Sequence, residues 1–321
     1  FRAARRVYPG REDLQALGTL LGGLVPMNLY ISQTVGNEPL AGVLTAALIV
    51  AAWRLSDSAY DLARVIHWVG LGLLLGLALL SKVTPVLIVA PLTLFLVRAL
   101  WRQEQTLRVR PFLWMFSAAA AVSGWYYLRN WMELGRPFIG GWDGLRGIVW
   151  WQDPGYRTAG QLLFWGRCLT YPVYSAVAGF WVSIYSTLWL DGSLSSMTSF
   201  DSRPRWNFDF MLTGAWLSLL PSLCLATGIV KTWRGGHSRR QFLGFSLSAL
   251  AVYFGALLWL YLKVPIYSTA KATYTLGLIP CYVALACAGF EVLLRGTWTR
   301  AVVFGGMATW GVAAYCAYFI N

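Results

Sequence analysis

The sequence predicts an all-α polytopic membrane protein, with about nine transmembrane helices and one long external loop carrying interfacial helices. Three observations predict it. Hydrophobic residues fill 57% of the 321 positions and charged ones only 12%, more apolar surface than a soluble fold of this length buries. Apolar runs of span length follow one another with short connections. The 18 Trp and 16 Tyr suit belts at headgroup depth, where amphipathic rings settle.

A membrane-crossing helix takes about 20 apolar residues, somewhat fewer where helices are irregular. Taken in order, the runs that meet this are Leu14 to Ser32, Leu40 to Trp53, Val65 to Leu80, Val86 to Leu100, Phe112 to Leu128, Phe210 to Val230, Phe242 to Leu262, Tyr274 to Leu294 and Ala301 to Ile320. They divide the chain into N-terminal transmembrane helices (1–128), a long polar-aromatic loop (129–209) and C-terminal transmembrane helices (210–321). The chain opens on FRAARRVYPGRED, a basic stretch of the kind that joins two spans. It therefore reads as a fragment, with a first helix and first external loop expected upstream of Phe1.

The formal charge of +13 would suggest nucleic acid in a soluble protein. Here the cations gather in short loops beside apolar runs, so the charge is read as topology and no nucleic-acid partner is expected. With the N-terminus cytoplasmic, the inside segments hold sixteen of the 26 Lys and Arg: Arg2, Arg5, Arg6, Arg11, Arg54, Arg64, Arg98, Arg102, Arg108, Arg110, Lys231, Arg234, Arg239, Arg240, Arg295 and Arg300. The short outside loops hold only Lys82, Lys263 and Lys271. This bias places loop 129–209 outside the plasma membrane, the inner membrane of a bacterium. Cys168 to Leu190 is also apolar enough to span, but counting it would put the KTWRGGHSRRQ loop and its four cations outside. Pro172, Arg167 and the Ser, Thr and Tyr content favour helices lying in the interface or re-entering against the bundle.

Cys168, Cys224, Cys281, Cys287 and Cys316 show no CxxC spacing, and four lie in apolar runs as small hydrophobes would. Gly18 with Gly22, and Gly72 with Gly76, form small-xxx-small faces expected to pack helices.

Charges at the outer edge of the bundle are the candidates for chemistry, because a charge near hydrocarbon is costly. Glu38, in SQTVGNEPL, is the one acid in a short external loop. It reads either as a solvated turn residue or as a carboxylate at the roof of a site, orienting an acceptor or a cation. Lys82, in GLALLSKVTP, either snorkels to the interface or, beside Pro85, meets a phosphate as a point charge. Arg129 and Asn130 close WYYLRN, where a guanidinium fork could hold a phosphate, and Lys271 and Tyr274 stand at the outer end of a later span. Interface anchoring is the alternative for each. The long loop adds Glu133, Asp143, Asp153, Asp191, Asp201 and Asp209.

Other matches carry less. Ser268 to Lys271 reads S-x-x-K but lacks the KTG element of penicillin-binding enzymes. His67 and His237 fall on the cytoplasmic side near Arg, and Glu291 lies near a cytoplasmic helix end, leaving no mid-span carboxylate for proton coupling.

The order SQTVGNEPL, GLLLGLALLSKVTP, GWYYLRNWMELGRPF, a long loop, then KATYTLGLIPCYVALACAGFE resembles the GT-C glycosyltransferases. The resemblance is to the family-39-like branch, which holds protein O-mannosyltransferases and the aminoarabinose transferase. It implies an inverting transfer of a sugar from a polyprenyl-phosphate donor to a lipid or protein acceptor at the outer face. By that resemblance Glu38 is the second acidic position, Lys82, Arg129, Lys271 and Tyr274 face the donor phosphate, and the long loop covers the acceptor. Thr273 stands where relatives often carry Arg. The main catalytic base would lie upstream of Phe1, so the fragment alone is expected to be inactive. A divalent cation is the one cofactor left open. A flippase or transporter of polyprenyl-linked glycans, or an O-antigen ligase or polymerase, is the competing reading.

Overall fold

The computed structural model describes residues 1–57, 62–104, 109–138, 158–172, 175–191, 206–235, 239–263 and 270–320, and among them there are helices and no strand. The chain forms two compact units. One is discontinuous (Phe1–Val35 with Gln152–Asn321), and the other is inserted in it (Gly36–Trp151). The discontinuous unit begins with α1 (Arg2–Val7), α2 (Glu12–Leu24) and α3 (Pro26–Ser32). The inserted unit holds α4 (Asn37–Leu55), α5 (Val65–Ser81), α6 (Val89–Glu104) and α7 (Arg110–Leu134). The first unit resumes with α8 (Ala159–Leu163), α9 (Phe180–Trp189), α10 (Phe208–Leu217), α11 (Leu219–Arg234), α12 (Arg240–Lys263), α13 (Ile279–Leu293) and α14 (Thr297–Phe319).

Among the described residues six helical stretches are long and apolar enough to cross a membrane: Asn37–Leu55, Thr84–Gln103, Phe208–Arg234, Arg240–Lys263, Ala272–Leu293 and Thr297–Phe319. The chain is thus a multi-pass membrane protein. A seventh crossing follows if α2 and α3, bent by 41°, count as one. The bend has a cause in sequence, since Pro26 cannot donate the helical bond to the residue four before it. Helices also cover the other two expected runs, as α5, a shorter apolar helix, and α7. The expected count of nine goes beyond what these helices show, and the stretches 139–157 and 192–205 of the expected external loop lie outside the described residues.

One expectation is corrected. The fifth apolar run ends at Leu128, but α7 continues through Leu134 and stops at Gly135, whose φ of 72° needs a residue without a Cβ penalty. The Cys168–Leu190 stretch is not one helix. It breaks into 3₁₀ turns at Arg167–Leu169 and Ser175–Val177 followed by α9, whose ten residues rise about 15 Å, half a bilayer core. Every residue of α9 but Trp181 is buried, so of the two arrangements expected for this stretch, packing against the bundle agrees with α9 and lying in the interface does not.

Glycine sets the close helix contacts. In the inserted unit a Cβ on Gly72 would collide with the Met115 carbonyl, and one on Gly76 with Val122 and the Ala119 backbone, so α5 and α7 pack side by side in parallel. In the other unit Gly18 and Gly22 of α2 face Val283, Cys287 and Ile279 of α13. A third pair has no second glycine four residues away on either helix: Gly228 of α11 sits on the Leu285 carbonyl while Gly289 of α13 sits on the Cys224 carbonyl. These approaches let dispersion act between backbones, the main attraction available to helices in lipid. All five cysteines are free and buried. Burial pushes the Cys168 thiol up to about 11, which leaves it protonated and inert near neutrality.

Candidate functional site

Three of the five residues selected from sequence stand at one end of the inserted unit. Glu38 is in the first turn of α4, and Lys82 is the residue that ends α5. Lys82 Nζ donates to Glu38 Oε1 at 2.5 Å, with 15% and 33% of the two side chains exposed. Each charge also suits its own helix, an acid at the positive N-terminus of α4 and a cation at the negative C-terminus of α5. The last carbonyls of α5 have further partners there. Asn37 Nδ2 donates to Ser81 O at 3.1 Å, and the Tyr127 hydroxyl donates to Leu79 O at 2.6 Å. A helix end that would otherwise leave carbonyls unbonded is thereby closed by α4 and α7.

Arg129 lies within α7, past the end of its apolar run, and its Nε donates to Glu133 Oε2 at 3.0 Å, one helical turn away. Both side chains are more than half exposed. Asn130 is buried and donates to Pro137 O at 3.4 Å, holding the chain after the Gly135 turn against the helix. Tyr127 and Phe138 meet edge to face at 5.3 Å across the same turn. The arrangement thus offers two cations with a carboxylate beside each. An ammonium donates three hydrogen bonds and a guanidinium five, so one carboxylate exhausts neither.

Lys271 and Tyr274 belong to the discontinuous unit, at the start of the 3₁₀ segment Ala272–Leu278 that leads into α13. Both are half-buried. Ala272 N donates to Thr187 Oγ1 of α9 at 2.7 Å, Tyr30 donates to Thr187 O, and Thr275 and Tyr282 share a bond of 2.8 Å. A 3₁₀ run of seven residues is uncommon. The Lys82 region has the same form, with 3₁₀ segment Thr84–Ile88 opening α6. A K-x-T triplet stands at the start of each segment, at Lys82–Thr84 and Lys271–Thr273.

Other residues gain their meaning only in three dimensions. Asp191, one of several loop acids, is fully buried directly after α9, near Tyr30 and Tyr318. Tyr30, Trp206 and Tyr318 form an aromatic triangle with centroid separations of 5.3 to 6.2 Å. Glu291, in sequence only an acid near a helix end, takes hydrogen bonds from Lys231 at 2.7 Å and Arg239 at 3.1 Å and pairs with Arg11 at 3.5 Å. Four helix ends from remote parts of the sequence meet at this carboxylate, a convergence no local pattern announces.

A cavity of about 490 Å3 opens on the segment expected to cover an acceptor. Phe164, Trp165, Arg167, Thr170 and Tyr171 line it around Gly166, whose φ of 95° reverses the chain. Buried Cys168 and Leu169 anchor the turn below, and Trp216 Nε1 donates to Leu169 O at 2.8 Å. Among the described residues Arg167 has no acidic partner. Asp143, Asp153 and Asp201, together with Ser268 and His237, lie outside the described residues.

Among the described residues no three His, Cys, Asp or Glu side chains gather as a metal site requires, so no residue is assigned to the divalent cation.

No protein-family model, no curated protein and no solved structure matches the chain.

Proposed function

We propose that this membrane protein is a glycosyltransferase that moves a sugar from a polyprenyl-phosphate donor to a lipid or protein acceptor at the outer face of the plasma membrane, with inversion. The observation that carries the reading is the Glu38–Lys82 contact at 2.5 Å. Two residues 44 positions apart, both chosen as charges at the outer edge of the bundle, meet where α4 begins and α5 ends, and α7 reaches the same end through Tyr127, two residues before Arg129. The GT-C-like order of segments supports the reading further.

The chemistry asked of these residues is electrostatic. An acceptor hydroxyl or amine attacks the anomeric carbon, the bond from that carbon to the phosphate oxygen breaks, and the phosphate leaves with the electron pair. Lys82 and Arg129 would hold that phosphate as its charge grows. Lys271 and Tyr274, which belong to the other unit, take the same role from the resemblance alone. Glu38 orients Lys82 in the absence of donor and yields part of its hydrogen bonding when phosphate arrives. The acceptor proton passes to a carboxylate base, to which no residue of this chain is assigned.

The test is binding of a labelled polyprenyl phosphate by the protein and its Lys82→Ala and Arg129→Ala variants. Loss of binding in both supports the assignment, and unchanged binding in both removes it. One observation favours a transport reading instead, the 41° break between α2 and α3, since broken spans build substrate sites in transporters. Movement of a polyprenyl-linked glycan across vesicle membranes without transfer would select it.

A further inference from the structure

The cations at one end of the discontinuous unit fall into two tiers. The inner tier is Arg11, Lys231 and Arg239, all of which converge on Glu291. Arg11 also forks onto Asp13, with both bonds at 3.0 Å, and Arg300 stands 3.9 Å from that carboxylate. The guanidinium of Arg239 lies 4.5 Å over the ring of Tyr8, whose hydroxyl donates to Ala284 O. These contacts bind the start of α2, the end of α11, the start of α12 and the end of α13 into one knot. The knot consumes Asp13 and Glu291.

The outer tier lies one step beyond along each chain segment. Arg234 is one turn past Lys231, Arg240 follows Arg239, and Arg295 is one turn past Glu291. All three are exposed, and among the described residues none has an acidic partner. Large aromatic side chains flank them, with Trp233 80% and Trp298 86% exposed. Four candidate spans begin or end at this level, at Arg234, Arg240, Leu293 and Thr297.

Exposed tryptophan beside arginine with no acid to pair with, at the ends of membrane spans, fits one environment. That is the headgroup layer, where an indole rests at the apolar boundary and a guanidinium meets phosphate. A positive-inside signal needs only the number of cations. It does not require an inner set that neutralises the local acids and an outer set that is left without them.

We infer that Arg234, Arg240 and Arg295, framed by Trp233 and Trp298, form a binding surface for the phosphodiester headgroups of anionic phospholipids in the adjoining leaflet. The surface belongs to the discontinuous unit, shares no residue with the Glu38–Lys82 site and holds whichever reaction the protein performs. The inner knot keeps the four helix ends in place, so the outer cations are presented on a fixed frame and lose little entropy on binding.

The experiment reconstitutes the full chain in vesicles of phosphatidylcholine containing phosphatidylglycerol, and measures preference for the anionic lipid by native mass spectrometry of extracted complexes. The chain should retain phosphatidylglycerol over phosphatidylcholine by about tenfold, and a triple Arg234→Gln, Arg240→Gln, Arg295→Gln variant by about twofold or less, since each substitution removes one cation from the headgroup layer. A triple Arg→Lys variant at the same positions keeps the charge and should keep most of the preference, which separates headgroup binding from misfolding. Equal helicity of the three proteins in pure phosphatidylcholine completes that control. Retention of the full preference by the Gln variant would overturn the proposal. So would its abolition by millimolar inorganic phosphate, which would reduce the surface to a general anion site.

Discussion

Lys82 Nζ and Glu38 Oε1 lie 2.5 Å apart, joining the C-terminus of one helix to the N-terminus of its antiparallel neighbour. A cation proposed to hold phosphate is therefore held by a carboxylate, and the two roles make opposite demands. If Lys82 binds the donor phosphate, Glu38 competes with it. Glu38→Gln should then tighten binding of a polyprenyl phosphate by a few fold, whereas Lys82→Ala should weaken binding roughly tenfold or more, the value of a charge-assisted hydrogen bond. Equilibrium binding of a fluorescent polyprenyl phosphate to both variants checks this.

Arg129→Ala separates function from stability. Its pair with Glu133 is exposed and one turn apart on the same helix, worth about 0.3–0.5 kcal/mol at most. Thermal unfolding should barely change, so a loss of polyprenyl-phosphate binding in this variant reports on the phosphate directly.

Glu291 is the hub of three cations with 21% of its side chain exposed. Glu291→Gln strands Lys231 and Arg239 against each other, and should cost about 1–3 kcal/mol, less than a fully buried pair because water still reaches the site. Differential scanning fluorimetry in detergent measures it. Lys231→Gln should cost less, since Glu291 keeps Arg239 and Arg11.

Glycine positions divide sharply. Gly76→Leu and Gly289→Leu force side chains into backbone and should each cost about 2 kcal/mol or more through overpacking. Gly70, also in α5, has open space where a Cβ would go, so Gly70→Ala should be neutral or stabilising by up to about 1 kcal/mol. The Tm of the three variants distinguishes the packed glycines from the free one.

The helices are legible in the sequence because their signal is local. Each apolar run has a period and a length, and each of the nine runs is covered by helix. The Gly72–Gly76 and Gly18–Gly22 faces are readable for the same reason. Gly228 and Gly289 are not, because each stands alone on its helix and gains meaning only from the partner backbone. The end of α7 is misread because Arg129 and Asn130 look like a polar terminus, while Glu133 and the Pro137 carbonyl carry them within the helix and its turn. Glu38 and Lys82 can be chosen individually from sequence, but their contact cannot, because register between two helices is a tertiary fact. The knot at Glu291 and the burial of Asp191 depend on residues brought from distant parts of the chain, and nothing in the neighbouring residues signals either.

A polyprenyl phosphate held beside Lys82 is what the proposed function stands on. The most direct measurement is photo-crosslinking of a polyprenyl phosphate bearing a diazirine near its headgroup to the reconstituted protein, with the labelled peptide identified by mass spectrometry. Label should fall on the peptides around Glu38 and Lys82, and should drop about tenfold in Lys82→Ala as one charge-assisted hydrogen bond is removed. Label confined to other segments, or unchanged in Lys82→Ala, would contradict the proposed function.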